Sequence, residues 1–435
     1  MDRVTTESPS SSPGTTNEQL YQRGLNVIPG GVNSPVRAFR SVGGTPYFVA
    51  SGSGARVVDV EGREFIDYVQ SYGASILGHA NPVVIDRIRE AALLGTTFGA
   101  PTRGEVELAE ALCERVPGLE QVRLVSSGTE AVMSAVRLAR GATGRTKILK
   151  FAGHYHGHSD SLLAAGGSGV ADQGLSGSAG VTAGAVADTV VVPWNQVPVL
   201  DSDTAVVCVE PTAANMGLIP PASGFLQALR DECDRVGALL LFDEVITGFR
   251  LDVGSATAFY GVTPDIWCFG KVIGGGLPVG AFGSSREIMA NLAPLGEVYQ
   301  AGTLSGNPLA TAAGCAVLEQ LTPDAYLRLI ATAETLAHGL RSAFDAAGVK
   351  AQVSTVGPLL GLFFGAHQPQ NYEEAKVSVD LGLYPIWFHG MLDRGIALAP
   401  GPYEVWFPSL AHGDTEVSAT VEAAFEVATL LKEHT

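Results

Sequence analysis

The sequence predicts an α/β protein: a mostly parallel sheet covered by helices on both faces, with a smaller α+β portion beside it. Two observations carry this. Between about residues 80 and 270, helical patterns alternate with short runs that are apolar at consecutive positions, so those strands are buried on both faces, as in parallel sheets. Before and after that stretch the pattern changes to short alternating strands and longer amphipathic helices, which suits a second, smaller unit. The 435 residues suffice for two or more domains and a cleft between them.

Taken in order, residues 1–16 are rich in Ser, Thr and Pro and read as a solvated tail. They lack the basic start and apolar centre of a secretion signal, which predicts a cytoplasmic protein. A helix is predicted over 17–27, closed by Pro29, Gly30 and Gly31, then an extended or looped segment over 32–39. Alternation over 47–50, 55–60 and 64–69, with Glu61 and Gly62 at a turn, predicts an antiparallel meander. The alternating region then predicts helices over 82–93, 104–115, 128–140 and 225–236. Its strands fall at 122–125, 147–151, 189–192, 205–209, 238–242 and 266–269. Ligands of such sheets bind beyond the carboxyl ends of the strands. Residues 164–187, dominated by Gly, Ala and Ser, predict a mobile loop and, in a sharper reading, a lid over a cleft. A helix over 323–347, strands over 350–354 and 360–364, and helices over 384–393 and 415–433 complete the chain. The expected divisions are therefore an N-terminal segment of the small domain at 17–75, a large domain at 76–318 and the rest of the small domain at 319–435.

Acidic residues outnumber basic ones, 44 to 27, for a formal charge of −17. That opposes a nucleic acid partner while leaving room for a local pocket that binds a small anion. No apolar run is long enough to cross a bilayer, so no membrane association is expected. Cys113, Cys208, Cys233, Cys268 and Cys315 stand singly in apolar or helical contexts and read as buried free thiols.

Three strand ends carry groups with chemistry. The run 122–125 leads into Ser126-Ser127-Gly128-Thr129-Glu130 and then a helix, an arrangement whose free N–H groups and positive dipole end suit a phosphate. Simple N-capping by a hydroxyl is the commoner use of such residues. The run 239–242 ends in Asp243, a carboxylate that is costly there unless a cation or N–H donor meets it. The run 266–269 ends in Gly270-Lys271, where partial desolvation would lower the lysine pKa and free a nucleophilic amine. Each alone reads as an ordinary cap or ion pair; together they are an anchor, a ring-nitrogen partner and an aldehyde carrier, the parts that pyridoxal phosphate needs. His154, His156 and His158 lack accompanying Cys or acidic ligands, so no metal is expected, and Tyr155 among them suits a stacking platform for a ring.

Segments 30–39 (GGVNSPVRAF), 78–82 (GHANP), 126–140 (SSGTEAVMSAVRLAR), 153–158 (GHYHGH), 243–250 (DEVITGFR), 270–283 (GKVIGGGLPVGAFG), 299–310 (YQAGTLSGNPLA) and 409–412 (SLAH) resemble the fold-type I, class III aminotransferases. Within these, the segments resemble the glutamate-1-semialdehyde 2,1-aminomutase family. The resemblance covers nearly the whole chain after the tail. It implies a seven-stranded type of sheet and pyridoxal or pyridoxamine phosphate as cofactor. Lys271 carries the cofactor aldehyde, Asp243 pairs with the pyridinium nitrogen, and Tyr155 stacks on the ring. Ser127, Gly128 and Thr129 hold the phosphate, and Asn215 lies near the phenolic oxygen. Thr303 is similar to a threonine that reaches the phosphate of the neighbouring subunit, which implies a homodimer with shared active sites. Ser34 and Arg37 would bind the carboxylate of a small-molecule substrate, and Glu404 stands where many aminotransferases keep an arginine that takes a second carboxylate.

The implied reaction is an exchange of amine within glutamate 1-semialdehyde. It passes through 4,5-diaminovalerate and ends at 5-aminolevulinate, with Lys271 moving the protons. The unstable aldehyde could be handed over by a glutamyl-tRNA reductase. The sequence departs from the family at Ser126, at Tyr72 and Ala74, and at Ala152, His154, Ile246 and Trp406. Tyr72, Ala152 and Trp406 lie in segments expected near substrate or cofactor. An intermolecular aminotransferase acting on a β- or ω-amino acid or an amino ketone would use the same Lys271 and Asp243.

Overall fold

The computed structural model describes residues 15–164 and 177–434. Its centre is a seven-stranded sheet built from β4 (Gln121–Val125), β5 (Lys147–Phe151), β6 (Thr189–Val192), β7 (Thr204–Val209), β8 (Leu239–Glu244), β9 (Ile266–Phe269) and β10 (Gly280–Ser284). The order is β4-β10-β9-β8-β7-β5-β6, parallel from β9 to β6, with β10 antiparallel to both of its neighbours. Successive side chains alternate faces. Val207, Leu240 and Phe242 pack on one side with the helix Phe225–Val236, while Val206, Cys208 and Leu241 pack on the other with α4 (Gly128–Thr143). Both faces are covered, which is why the central strands run apolar at consecutive positions, as in residues 205–209, 239–242 and 266–269.

The other residues form a smaller unit from both chain ends. After α1 (Asn17–Leu25), the strands β1 (Val49–Ser53), β2 (Arg56–Asp59) and β3 (Glu64–Asp67) make the expected antiparallel meander, and β13 (Ile396–Ala397) joins it parallel to β3. A hairpin of β11 (Ala351–Val356) and β12 (Leu359–Phe364) lies nearby. Phe39 and Tyr68 from the N-terminal side share one core with Leu340, Trp387, Trp406 and Val427 from the C-terminal side. Between the meander and the large sheet run α2 (Pro82–Leu94) and α3 (Arg103–Arg115).

Several elements were not expected from the sequence. The glycine-rich stretch after Lys271 contains β10, residues 255–260, 308–320 and 372–380 form helices, and β13 has no counterpart in the predicted strands. Gly280 is required by close approach: a Cβ there would stand 2.3 Å from the Ser127 carbonyl oxygen, and one at Gly283 would stand 2.4 Å from that of Gln121. Of the expected mobile loop, residues 165–176 lie outside the described residues, and the part that is described includes a short helix, Ala183–Val186. Cys208, Cys233 and Cys268 are buried free thiols; Cys113 and Cys315 are free and partly buried. Among the described residues no helix is long and apolar enough to cross a membrane.

Replacing Gly280 by Ala is expected to cost about 1–3 kcal/mol, the usual penalty of overpacking, seen as a lower urea midpoint. Gly184→Ala, where an added Cβ meets nothing, is the control and should leave the midpoint in place.

Candidate active site

The carboxyl ends of β5, β7, β8 and β9 converge on a cavity of about 230 Å³ that faces the first turn of α4. Ser127, Gly128, Thr129, Tyr155, Asn215, Asp243 and Lys271 all line it. Thr303 is exposed and does not.

The α4 end is built for an anion. The amides of Gly128 and Thr129 have no carbonyl within the helix to reach, as in the first turn of any helix. Ser127 Oγ accepts the Glu130 N–H at 3.2 Å, so its hydroxyl acts as a cap and the cradle is made chiefly of backbone. Gly157 (φ +81°) lets the following loop pass close to this turn: a Cβ there would be 2.6 Å from Thr129 Oγ1. Val245 fills the floor between Gly128 and Gly270.

Asp243 occupies the end of β8 with 5% exposure. Its Oδ2 lies 2.8 Å from His156 Nδ1, and Oδ1 accepts the Val245 N–H at 3.1 Å. Burial pushes its pKa up to about 7, against the pull of that N–H and of the Lys271 and Lys150 charges. Lys271 follows β9 in a left-handed conformation, φ +47°, that a non-glycine residue holds only under constraint. Burial lowers its pKa, and Glu404 is the foremost charge opposing that shift, ahead of Asp243. Glu404 is thus an electrostatic neighbour of the lysine, although it does not line this cavity.

Tyr155 donates its backbone N–H to Glu210 Oε1 at 2.7 Å, and its hydroxyl reaches Thr129. Asn215 donates to the same Glu210 oxygen at 2.9 Å. Glu210, which sequence reasoning passed over, therefore ties the ring-stacking candidate to the Asn215 loop. Burial raises it to about 7, opposed by the Ala214 and Tyr155 N–H groups. It follows β7 as Asp243 ends β8, and that position was the available signal. His156, set aside with its neighbours, is wholly buried against Asp243, while His158 is exposed. Among the described residues no three His, Cys, Asp or Glu side chains gather to hold a metal.

Ser34 and Arg37 do not line the Lys271 cavity. Arg37 lines a neighbouring space of about 630 Å³ together with Ser71, Tyr72 and His79, and Ser34 lines another of about 530 Å³. Tyr72 links the two regions, since it also packs on the cluster that holds Ile246, a wall of the Lys271 cavity. Trp406, expected near the ligand, instead packs on Tyr68 and Trp387 in the core of the small unit, with ring centroids 5.3 and 6.5 Å away. Its large apolar ring finds more to bury there than at a polar cavity.

A flat heteroaromatic ring bearing a phosphate fits this donor set: free helix amides at one end, an aromatic side chain beside the space, and a buried carboxylate with an adjacent amine. The comparisons agree. Residues 39–401 match the family model described as aminotransferase class-III. The chain belongs to the class III aminotransferases. It is 52% identical over 417 residues to a protein of Geobacillus kaustophilus named glutamate-1-semialdehyde 2,1-aminomutase 2, covering 94% of this chain and 96% of the relative. Among solved structures it is similar to an omega-transaminase from Sphaerobacter thermophilus, with TM-score 0.88, 33% identity and coverage of 97% and 99%. It is also similar to a point variant of a glutamate-1-semialdehyde-aminomutase from Pseudomonas aeruginosa PAO1 in complex with PMP, with TM-score 0.82, 27% identity and coverage of 94% and 93%.

An acid whose folded pKa lies above its unfolded value binds more protons when folded, so stability falls as pH rises through that window. For Asp243 the window runs from 3.8 to about 7. Cofactor-free Asp243→Asn is therefore expected to gain thermal stability over the native chain as pH rises from about 4 to 7 and to hold that gain above 7, while losing affinity for the cofactor. A stability difference of equal size at pH 4 and pH 8 would show that Asp243 is not desolvated as described.

Proposed function

We propose that this protein converts (S)-glutamate 1-semialdehyde to 5-aminolevulinate, the amine exchange that feeds tetrapyrrole (porphyrin) biosynthesis, in the cytoplasm and as a homodimer. The observation that carries this reading is identity of 52% across nearly the full length of a protein of that name. On the same reading the unstable aldehyde comes from a glutamyl-tRNA reductase.

Pyridoxamine and pyridoxal phosphate, when bound, supply an exchangeable amine and an electron sink for carbanions. The chain's own groups do the rest. The Gly128 and Thr129 amides, at the positive end of α4, hold the phosphate, with the Ser127 cap keeping that turn in shape. Tyr155 would cover the ring, Asn215 would meet its phenolic oxygen, and Asp243 would hold the proton of its ring nitrogen. Lys271 Nζ, with its pKa lowered by burial, has an unprotonated fraction that takes a proton from the substrate carbon and returns it to the neighbouring position. Ser34 and Arg37 bind the substrate carboxylate from the adjoining spaces, and Glu404 disfavours a second carboxylate.

The dimer is supported by an apolar surface. Leu93, Leu94, Leu295 and Tyr299 are 71–88% exposed in the single chain, and exposed Thr303 lies in the same segment as Tyr299. Large apolar side chains exposed to this degree suit burial against a second copy, which on this reading brings its Thr303 to the neighbouring phosphate.

Similarity to a transaminase structure favours the second reading, an intermolecular aminotransferase for a β- or ω-amino acid or amino ketone. One experiment separates the two: pyridoxamine phosphate-loaded protein is mixed with glutamate 1-semialdehyde, with no other donor or acceptor, and 5-aminolevulinate is counted. The aminomutase gives many equivalents per site. A halt at one equivalent or fewer means an intermolecular enzyme. Lys271→Ala should keep the fold and lose turnover; normal product formation by that variant would remove Lys271 from the chemistry.

Shared sites predict complementation. Mixed and re-paired, Thr303→Ala and Lys271→Ala chains should recover up to about a quarter of native activity, because one site in each mixed dimer has both residues. Activity that merely averages the two variants would place Thr303 outside the neighbour's site.

A further inference from the structure

The cluster under Asp243 leaves unpartnered atoms that the reaction does not use. His154 and His156 are both buried, with exposures of 0% and 1%, and among the described residues Nε2 of each has no hydrogen-bond partner. Their rings lie 5.9 Å apart at 66°. Trp194, whose ring is 4.6 Å from that of His154, also has an unpartnered buried Nε1. Unpaired buried polar groups are costly, so three together call for a common explanation.

Hydrogen bonds on the far side of each ring fix the tautomers. The Glu210 backbone N–H can only donate, and it donates to His154 Nδ1 at 3.1 Å. Nδ1 therefore carries the lone pair, and the proton of the neutral ring is on Nε2. His156 Nδ1 faces the Asp243 Oδ2 carboxylate oxygen at 2.8 Å, so its proton is on Nδ1 and its Nε2 is an acceptor. Burial disfavours the charged form of both rings, with further lowering by Lys150. The two orphaned atoms are thus complementary, one donor and one acceptor, yet no direct bond joins them.

We propose that one buried water joins His154 Nε2 to His156 Nε2, and that His154, acting through this water and His156, is a positioning residue for Asp243. The water accepts from His154 Nε2–H and from Trp194 Nε1–H and donates to His156 Nε2, which gives it the three partners usual for a buried water. Every donor in the chain then points toward the carboxylate: Trp194 and His154 to water, water to His156, His156 to Asp243. Hydrogen bonds in such a series polarise one another, and the last favours the carboxylate anion that the cofactor's ring nitrogen needs. Lys150, Glu210, Lys271, Glu244, Tyr155, Cys208 and Cys268 are the other ionisable groups coupled to this cluster. The assignment rests on the cofactor reading of the cavity and goes beyond it, since His154 touches neither substrate nor cofactor.

Two variants and a structure test it in the intact holoenzyme. In His154→Asn the side-chain oxygen can still accept the Glu210 N–H but is too short to reach the water. In His154→Gln the amide nitrogen stands near the former Nε2. Both lose the ring against Trp194, so a packing role harms both alike. The relay predicts about a 10-fold lower rate of amine transfer for His154→Asn, the size expected for a hydrogen bond to a charged group, with KM within about 2-fold and the cofactor retained. It predicts a rate within about 3-fold of native for His154→Gln. Equal losses in the two variants, or none in either, overturn it. A crystal structure of the native holoenzyme should show an ordered water in reach of both Nε2 atoms, and a dry gap overturns the proposal. Should the native enzyme fail to use the semialdehyde, the aminomutase reading falls by itself. The water and the effect of the two variants on the absorbance of the bound cofactor across pH still decide the relay.

Discussion

A charged group moved out of water loses several kcal/mol of solvation unless protein groups replace the solvent. At the carboxyl end of one parallel sheet this chain buries Asp243, Glu210 and Glu244, with Lys150 and Lys271 beside them. The loops there are shaped by that constraint. Glu210 takes N–H groups from Tyr155, Ala214 and Asn215, while Glu244 takes the Ala256 N–H at 2.7 Å and the Ser255 hydroxyl at 2.9 Å. Asp243 takes Val245 and His156. The loops after β5, β7 and β8 turn back so that their donors meet a carboxylate, and the first two thereby carry Tyr155 and Asn215 to the wall of the cavity that Lys271 also lines. Preorganised donors of this kind need little rearrangement when a ligand arrives, which is what a site for electrostatic catalysis requires.

The wall that carries Arg37 and Tyr72 comes from the N-terminal segment, and one of the residues that fasten the chain ends to the sheet is Arg250. Arg250, wholly buried, donates to the Gly73 carbonyl at 2.7 Å and to the Pro408 carbonyl at 3.0 Å, and its guanidinium lies 5.4 Å from the centre of the Phe407 ring. Burial lowers its pKa to about 10, so it stays charged at neutral pH. The segment it grips is strained: Gln70, Ser71, Tyr72 and Gly73 all have φ between 44° and 95°. Asp67 holds the start of that turn by accepting the Val69 and Gln70 N–H groups. Tyr72 is thereby fixed between the cavity that Arg37 lines and the wall of the Lys271 cavity.

The strands of the large sheet were legible because burial on both faces leaves a run with no polar interruption. The same logic failed where glycine replaced the branched residues, as in β10, whose identity depends on close backbone approach to β4. The helix over 308–320 is small and apolar on most sides, so it shows little periodicity to read. Pairing of β3 with β13 joins Ile66 to Ile396, and no local pattern reports a contact across that separation. In the site, Asp243, Lys271 and the turn at 127–129 were readable as polar groups at the ends of buried runs. His156 was not: whether residues two apart face a carboxylate or solvent depends on backbone dihedrals in a loop with glycines at 153 and 157, both at positive φ. Lys150 carried a signal that went unused, a lysine inside a strand apolar on both faces, and the structure buries it with its ammonium on the Leu162 carbonyl at 3.0 Å.

Charge along the cavities bears on which substrates suit them. Glu404 acts on Lys271 more strongly than any other charge, while Arg37 lines the separate space beyond Tyr72. A small anion is therefore drawn to the Arg37 side and repelled from the Glu404 side. A molecule with a single carboxylate can lie with that group toward Arg37 and its amine-bearing or aldehyde carbon toward Lys271. A second carboxylate set near Glu404 would be repelled, and the repulsion grows where the surroundings are desolvated. The same carboxylate partly offsets the lowering of the Lys271 pKa by burial: burial favours the free amine and Glu404 favours the ammonium. Glu404 thus acts both on the lysine and on any anion that enters beside it, so the charge of a ligand and the protonation of Lys271 are coupled at this wall of the cavity.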